Sequence, residues 1–260
     1  MSRYEQAKSF CTTILDNETA RTKNSETFVT LTYAQSLDGK ISGRGGQMLT
    51  LSCEESMIMT HRLRTLHDGI LIGIGTLLND DPRLTARLLD SGEESSVRQP
   101  QPIILDSKLR FPLSARILSS QGCKAPWIFT SQSHDIDKRH LLEQAGARVI
   151  PIDSGPDGQL SIDHLLKTLS SPPFSISRLM VEGGAQVISS FLKSGLVNLL
   201  IVTIAPVLVG ANSISVTCER SDKDRENEND GDKFPPLSII EYKQFGKDIV
   251  MVANVFPLEK

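Results

Sequence analysis

The sequence predicts an α/β protein, a sandwich of helices around a largely parallel sheet. Three observations carry this. Short apolar runs rich in β-branched residues recur along the 260 residues, and stretches with helical spacing lie between them. Several of the runs are apolar without alternation, which is the pattern of strands covered on both faces. The chain then ends on two successive strand patterns, "LSIIEYKQFGKDIVMVANVF", which turn near Gly246 and make the sheet mixed.

The elements follow in order. Ala7, Phe10, Cys11, Ile14 and Leu15 repeat at helical spacing, so a helix is expected over about residues 1–22. "TFVTLTYA" (27–34) is the first strand. The helix at 52–66 opens on a capping box, Ser52 with Glu55 three residues on, and Met59, Leu63 and Leu66 give it an apolar stripe. "GILIGI" (69–74), "PIILD" (102–106), "PWIFTS" (126–131), "ARVIPI" (147–152), "RLMVEG" (178–183) and "NLLIVTIAPVLV" (198–209) read as strands. Helices are expected at 135–145, 161–170 and 185–194, and the polar stretch 90–101 reads as a long loop. With no internal repeat and no interdomain linker, residues 1–260 form one expected domain.

Composition narrows the class. Hydrophobic residues at 39% and charged residues at 23% describe a globular chain. A net charge of −3 argues against a nucleic-acid partner, since phosphate binding needs a basic face. The run "ERSDKDRENENDGDK" (219–233) holds seven acids and four bases, so it carries that whole imbalance. Without apolar residues to bury, it is read as a mobile surface insertion over about 219–236. Cys11, Cys53, Cys123 and Cys218 form no CxxC pair, which leaves zinc ligation and a disulfide framework without support. No apolar run is long enough for a bilayer span, and the N-terminus has neither a secretory core nor an acid-poor transit composition. The expectation is a cytoplasmic protein with no membrane partner.

In open α/β sheets ligands bind beyond the carboxyl ends of the strands, so the residues after each strand are the candidates. After the first strand comes "QSLDGKISGRGGQ", carrying Ser36, Asp38 and Lys40. After the second comes "GIGTLLNDDPRLTARLL" (73–89), where Thr76 and Asp80 can bond ribose hydroxyls or amides and Arg87 can grip an anion. Arg64 lies one helical turn beyond His61, and its local alternative is a partner for the helix C-terminus. Ser107 follows "PIILD". "VEGGAQVISSFL" (181–192) sets two glycines between a strand and a helix, where backbone can approach a ligand and a helix N-terminus faces it. Strand-to-helix geometry alone would also use that turn. Glu182 stands at the same strand end, as a cleft residue or as a turn partner. GxGxxG, GxxxxGK[ST], HExxH and GxSxG are all absent and the five histidines are scattered, so no metal site is expected and hard chemistry would come from a cofactor.

Taken together, "YAQSLDGKIS", "HRLRTLHDGILIGIGTLLNDDPRLT", "PIILDSKLRFP", "LMVEGG" and "IAPVLVG" resemble the riboflavin-biosynthesis reductases, over residues 27–255. That family comprises stand-alone fungal and archaeal enzymes and the reductase half of a bacterial deaminase-reductase, and this chain reads as the stand-alone form. The resemblance implies a dihydrofolate-reductase-like, three-layer α/β/α fold, a homodimer and use of NADPH. It implies reduction of 2,5-diamino-6-ribosylamino-4(3H)-pyrimidinone 5′-phosphate to its ribitylamino counterpart. By position, Thr76, Asp80, Ser107 and the turn Gly183, Gly184, Ala185, Gln186 and Val187 match cofactor contacts. Arg64, Leu84, Arg87 and Glu182 match substrate-facing positions, with both arginines expected on the sugar phosphate. Asp38 and Glu182 are the candidate proton donors for opening the sugar ring. Two alternatives remain open: a pteridine reductase of the dihydrofolate reductase type, and a non-catalytic NADPH-binding interaction protein.

Overall fold

The structure, a computed structural model, describes residues 1–20, 26–93, 96–155, 157–216 and 234–256. The acidic run 219–233 lies outside the described residues.

Strands β1 (Phe28–Ser36), β3 (Gly69–Gly73), β4 (Gln101–Leu105), β5 (Trp127–Ser131), β6 (Arg148–Ile152), β7 (Arg178–Val181) and β8 (Leu199–Ala205) run parallel. The hairpin β10 (Leu237–Phe245) and β11 (Asp248–Val255) joins β8 antiparallel. The nine-stranded order is β10-β11-β8-β1-β7-β3-β4-β5-β6, and a small pair, β2 (Lys40–Ser42) with β9 (Ile214–Ser215), stands apart. The sheet is therefore mixed and mostly parallel, as the apolar runs predict. "NLLIVTIAPVLV" stops being strand at Ala205, because Pro206 has no N–H to offer the ladder.

Helices α1 (Arg3–Thr19), α2 (Glu54–Thr65), α3 (Ile74–Asp80), α4 (Arg116–Ser119), α5 (Ile136–Gln144), α6 (Ile162–Ser170) and α7 (Ala185–Ser194) cover the sheet. Alternate strand residues sort the core into layers. Val29, Leu31, Leu71, Leu179 and Val181 pack on α6 and α7. Their neighbours Phe28, Met180, Leu199 and Ile201 pack on α1 and α2, and Ile70, Ile72 and Ile104 pack on α3, α4 and α5. The predicted helix stripe Ala7, Phe10, Cys11, Ile14 and Leu15 is buried as expected, with the Phe10 ring edge-on to Phe245 at 5.1 Å. Phe10, Ile14 and Leu15 each contribute about 1.5–3 kcal/mol by leaving water, enough to dock α1 despite its otherwise polar composition. Among the described residues no helix is long and apolar enough to cross a membrane.

Two local expectations change. Helix α2 does not use the box at Ser52 and Glu55; its N-cap is Cys53, which makes no side-chain cap bond. The buried carboxylate of Asp248, arriving from the terminal hairpin, accepts the Cys53 N–H at 2.7 Å and a bond from the Ser56 hydroxyl. A carboxylate from the far end of the chain thus takes the N-cap N–H, the donor that the acidic side chain of a local capping box would have taken. The second change is α3, whose Gly75, Thr76, Asn79 and Asp80 make it a poor helix former. Burial of Ile74 and Leu77 in the core stabilises it instead.

Topology places the site. Every crossover moving toward β6 uses a helix on one face of the sheet, as α2, α3 and α5 do. Every crossover moving back uses α6 or α7 on the other face. This is what the right-handed rule requires. At the carboxyl ends of β1, β7 and β3 the helices therefore leave to opposite faces, and a crevice opens between them.

Candidate functional site

Glu182 extends the β7 ladder, its N–H donating to the Leu71 carbonyl at 2.8 Å. Gly183 follows with φ 156°, where a side chain would also press on Val187 at 3.3 Å. Gly184 is the N-cap of α7 and has no side chain to satisfy the helix N-terminus. The first N–H groups of α7, at Ala185, Gln186 and Val187, have no partner within the helix, by helix geometry. Ala185 itself is buried and Gln186 is exposed.

The turn after β3 sits directly against this one. The Gly184 N–H donates to Thr76 Oγ1 at 3.1 Å, and a Cβ on Gly73 would lie 2.6 Å from Val187 Cγ2. A Cβ on Gly75 would meet open space. Two glycine turns thus abut, joined by Thr76, at one helix N-terminus. Farther along α3, Asp80 is half-buried with no ion pair or hydrogen bond for its carboxylate among the described residues, and burial raises its pKa. On the next strand end, the Asp106 carboxylate is fully buried and accepts the Phe111 N–H at 2.8 Å, which fixes the turn that presents half-buried Ser107.

Across the crevice, Arg64 and Glu182 form a two-pronged ion pair, Nε to Oε1 at 3.0 Å and Nη2 to Oε2 at 2.9 Å. Nη1 of Arg64 also donates to the Thr85 carbonyl at 3.0 Å. Arg64 thus serves neither the end of its own helix nor a free anion site: its guanidinium is engaged by protein. Arg87 is different. It is exposed and has no acidic partner among the described residues, and burial of its stem with the charges of Arg64, Arg83 and Arg116 lowers its pKa. Arg64 and Arg116 are paired, to Glu182 and Asp81, but Arg83 and Arg87 have no acidic partner among the described residues, so positive potential collects there. The Leu84 side chain is buried in the core, with its backbone at φ 56°, so only main chain there can meet a ligand.

Asp38 stands apart from these residues. Its carboxylate accepts from the Ser36 hydroxyl at 2.5 Å and from the N–H groups of Val209 and Gly210 at 3.1 and 2.8 Å. The Ser36 bond chiefly, then the two backbone bonds, hold its pKa down at about 2. These donors stabilise the charged form of Asp38, which argues against its expected role as a proton donor. It ties the turn after β1 to the turn after β8.

Three contributors escape a sequence reading. His61, Gln99 and Asp248 act through hydrogen bonds to backbone distant in sequence. For His61 a signal exists, its one-turn spacing from Arg64; for the others there is none. Among the described residues no group of three or more His, Cys, Asp or Glu could hold a metal ion.

The family described as the RibD C-terminal domain matches residues 27–251. The chain belongs to the RibD C-terminal domain family. Within the family, a 2,5-diamino-6-ribosylamino-4(3H)-pyrimidinone 5′-phosphate reductase of Candida glabrata is 37% identical over 204 residues, 75% of this chain and 81% of the relative. The riboflavin biosynthesis protein RibD of Bacillus amyloliquefaciens is 34% identical over 230 residues, 87% of this chain but 57% of that longer relative. Among solved structures, the riboflavin biosynthesis reductase Rib7 of Saccharomyces cerevisiae superposes with a TM-score of 0.69 at 28% identity, covering 94% of this chain and 98% of that one. With reductases as its named relatives, the chain is an oxidoreductase.

Proposed function

We propose that this protein reduces 2,5-diamino-6-ribosylamino-4(3H)-pyrimidinone 5′-phosphate to the ribitylamino product, with NADPH as the reductant. The observation that carries the reading is the contact of Thr76 with Gly184, which joins two glycine turns at a helix N-terminus beside a surplus of arginine charge. The fit to a dinucleotide is chemical. A side chain at Gly73 or Gly183 would strike Val187, while the unpaired N–H groups at the start of α7 suit a phosphate. Thr76, Asp80, Ser107 and residues 183–187 would hold the nucleotide, Asp80 accepting from sugar hydroxyls. When bound, NADPH would supply a hydride to C1′ of the ring-opened sugar imine, with a proton from solvent completing the amine at nitrogen.

The chain's own work is orientation and charge placement. Arg87 receives the 5′-phosphate, with Arg83 adding to the local potential. Glu182 keeps a lone pair on each oxygen beyond those given to Arg64, and accepts from a substrate N–H or hydroxyl. Arg64 is assigned to hold Glu182, in place of a direct phosphate contact. The pyrimidine phosphate is favoured over a pteridine because relatives 36–38% identical to this chain are named as reductases of that phosphate. A homodimer fits the charge-free face of the β8-β11-β10 sheet, where Leu237, Ile239, Tyr242 and Ile249 are exposed while Glu241 and Lys243 point to the other side. Mixing protein, NADPH and the ribosylamino pyrimidine phosphate tests the reading. Substrate-dependent loss of NADPH supports it; no loss with this substrate, or equal use of dihydrofolate, overturns it.

A further inference from the structure

Residues 85–87 lie in irregular chain between α3 and β4, where no neighbouring strand can pair their backbone. Side chains from two other segments do so instead. The Thr85 carbonyl accepts from Arg64 Nη1 at 3.0 Å. The Ala86 N–H donates to Gln99 Oε1 at 2.8 Å, and the Ala86 carbonyl accepts from Gln99 Nε2 at 2.9 Å. The Arg87 N–H donates to His61 Nδ1 at 3.2 Å. Four consecutive backbone groups are thereby held by three side chains, and the residue at the end of the clamp is the arginine without an acidic partner. A side-chain amide that both accepts from and donates to one residue copies the two bonds of a sheet bridge, which fixes that residue in translation and in rotation.

His61 suits its part. It is fully buried, and burial with the charges of Arg64 and Arg87 lowers its pKa to about 3, so at neutral pH the ring is uncharged and Nδ1 can accept. A protonated ring would donate from both nitrogens and release the Arg87 N–H.

We propose that Gln99 and His61 are positioning residues for substrate phosphate, holding the 85–87 backbone so that Arg87 projects a preset guanidinium into the site. This rests on reading Arg87 as the phosphate ligand, and the experiment separates the two. The ribosylamino pyrimidine phosphate KM, the NADPH KM and kcat are measured for Arg87→Ala, Gln99→Met, His61→Leu and His61→Asn, and for Gln99→Met combined with Arg87→Ala. Losing a net hydrogen bond of about 1 kcal/mol corresponds to roughly a fivefold change in affinity. Gln99→Met, which loses two bonds, should therefore raise substrate KM by at least about fivefold, with NADPH KM and kcat held within about twofold. His61→Asn, whose Oδ1 can replace Nδ1 as acceptor, should restore most of what His61→Leu loses. Gln99→Met should add nothing once Arg87 is gone. If Arg87→Ala leaves substrate KM unchanged, the phosphate reading itself fails. If Arg87→Ala raises it but Gln99→Met and His61→Leu do not, the clamp alone is refuted. Parallel shifts of both KM values and kcat would mean a merely structural role and also refute it. Gln99 is only half-buried, so its variants decide the matter should His61→Leu fail to fold.

Discussion

Substituting alanine for Gly73 perturbs the contact between the two glycine turns with a single methyl group. Gly73 has φ −81° and ψ 156°, an extended conformation that alanine also adopts, so the backbone bears no penalty. The penalty is steric. The new Cβ would lie 2.6 Å from Val187 Cγ2, about 1 Å inside the optimal carbon–carbon separation. Val187 cannot easily rotate away, because a β-branched side chain in a helix has one strongly preferred rotamer. The N-terminus of α7 must therefore shift, drawing Gly184 away from Thr76. Overpacking of this kind costs about 1–3 kcal/mol, which lowers Tm by roughly 2–4 °C for each kcal/mol in a chain of this size. Because the shift falls on the cofactor turn, NADPH KM should rise by more than the substrate KM does. Adding Val187→Ala removes the struck methyl groups and should return both Tm and NADPH KM toward wild type. Thermal unfolding and steady-state kinetics on the two single variants and the double variant form a complete cycle. A Gly73→Ala protein with unaltered Tm and NADPH KM, or losses that Val187→Ala does not relieve, would refute the reasoning.

Other outcomes follow from the same geometry. Arg64→Ala strands the Glu182 carboxylate in a mostly buried position and frees the Thr85 carbonyl; denaturant unfolding should show a loss of about 3 kcal/mol, with a smaller loss for Glu182→Gln. Asp38→Asn should leave the pH profile of kcat unchanged in shape above about pH 4, since the native carboxyl titrates at about 2; loss of a profile limb would make Asp38 the proton donor after all. The buried rings of His61 and His67 have pKa values lowered from 6.5 to about 3 and about 4. Between those values and 6.5 the unfolded chain binds more protons, so stability should fall as pH drops, by up to about 1.4 kcal/mol per pH unit for each ring. Stability flat from pH 6.5 to 4 would contradict the burial of both rings as neutral species.

Most of the fold is legible because its strands and helices obey simple periodicities. Val29 and Leu31 face one layer and Phe28 the other, and an unbroken apolar run predicts that double burial. Helix α7 begins and ends at the expected residues, 185 and 194, because a glycine turn precedes it and Gly195 in left-handed geometry ends it. What stays hidden depends on contacts across long separations. The α2 cap comes from Asp248, 195 residues away from Cys53, and no local pattern could report it. Helix α3 has poor propensity and exists because Ile74 and Leu77 find a core.

The site divides along the same line. Thr76 and the glycine turn are found by looking past strand ends, and the structure joins them directly. Arg64 and Arg87 read alike in sequence, as two basic residues near one strand. Only the bond from Arg64 to Glu182 shows that one arginine is a scaffold and the other is available for an anion. Asp38 looks like an acid in a glycine-rich turn, and only its three donors reveal that its charge is held for structure.

The most direct test is a crystal structure with NADP⁺ bound. The prediction is a nucleotide in the crevice between β7 and β3, its phosphates at the N–H groups of residues 185–187 and Thr76 alongside. A nucleotide bound anywhere else, with Thr76 and the 183–187 turn left untouched, would contradict the proposal that these strand ends form one cofactor and substrate cleft.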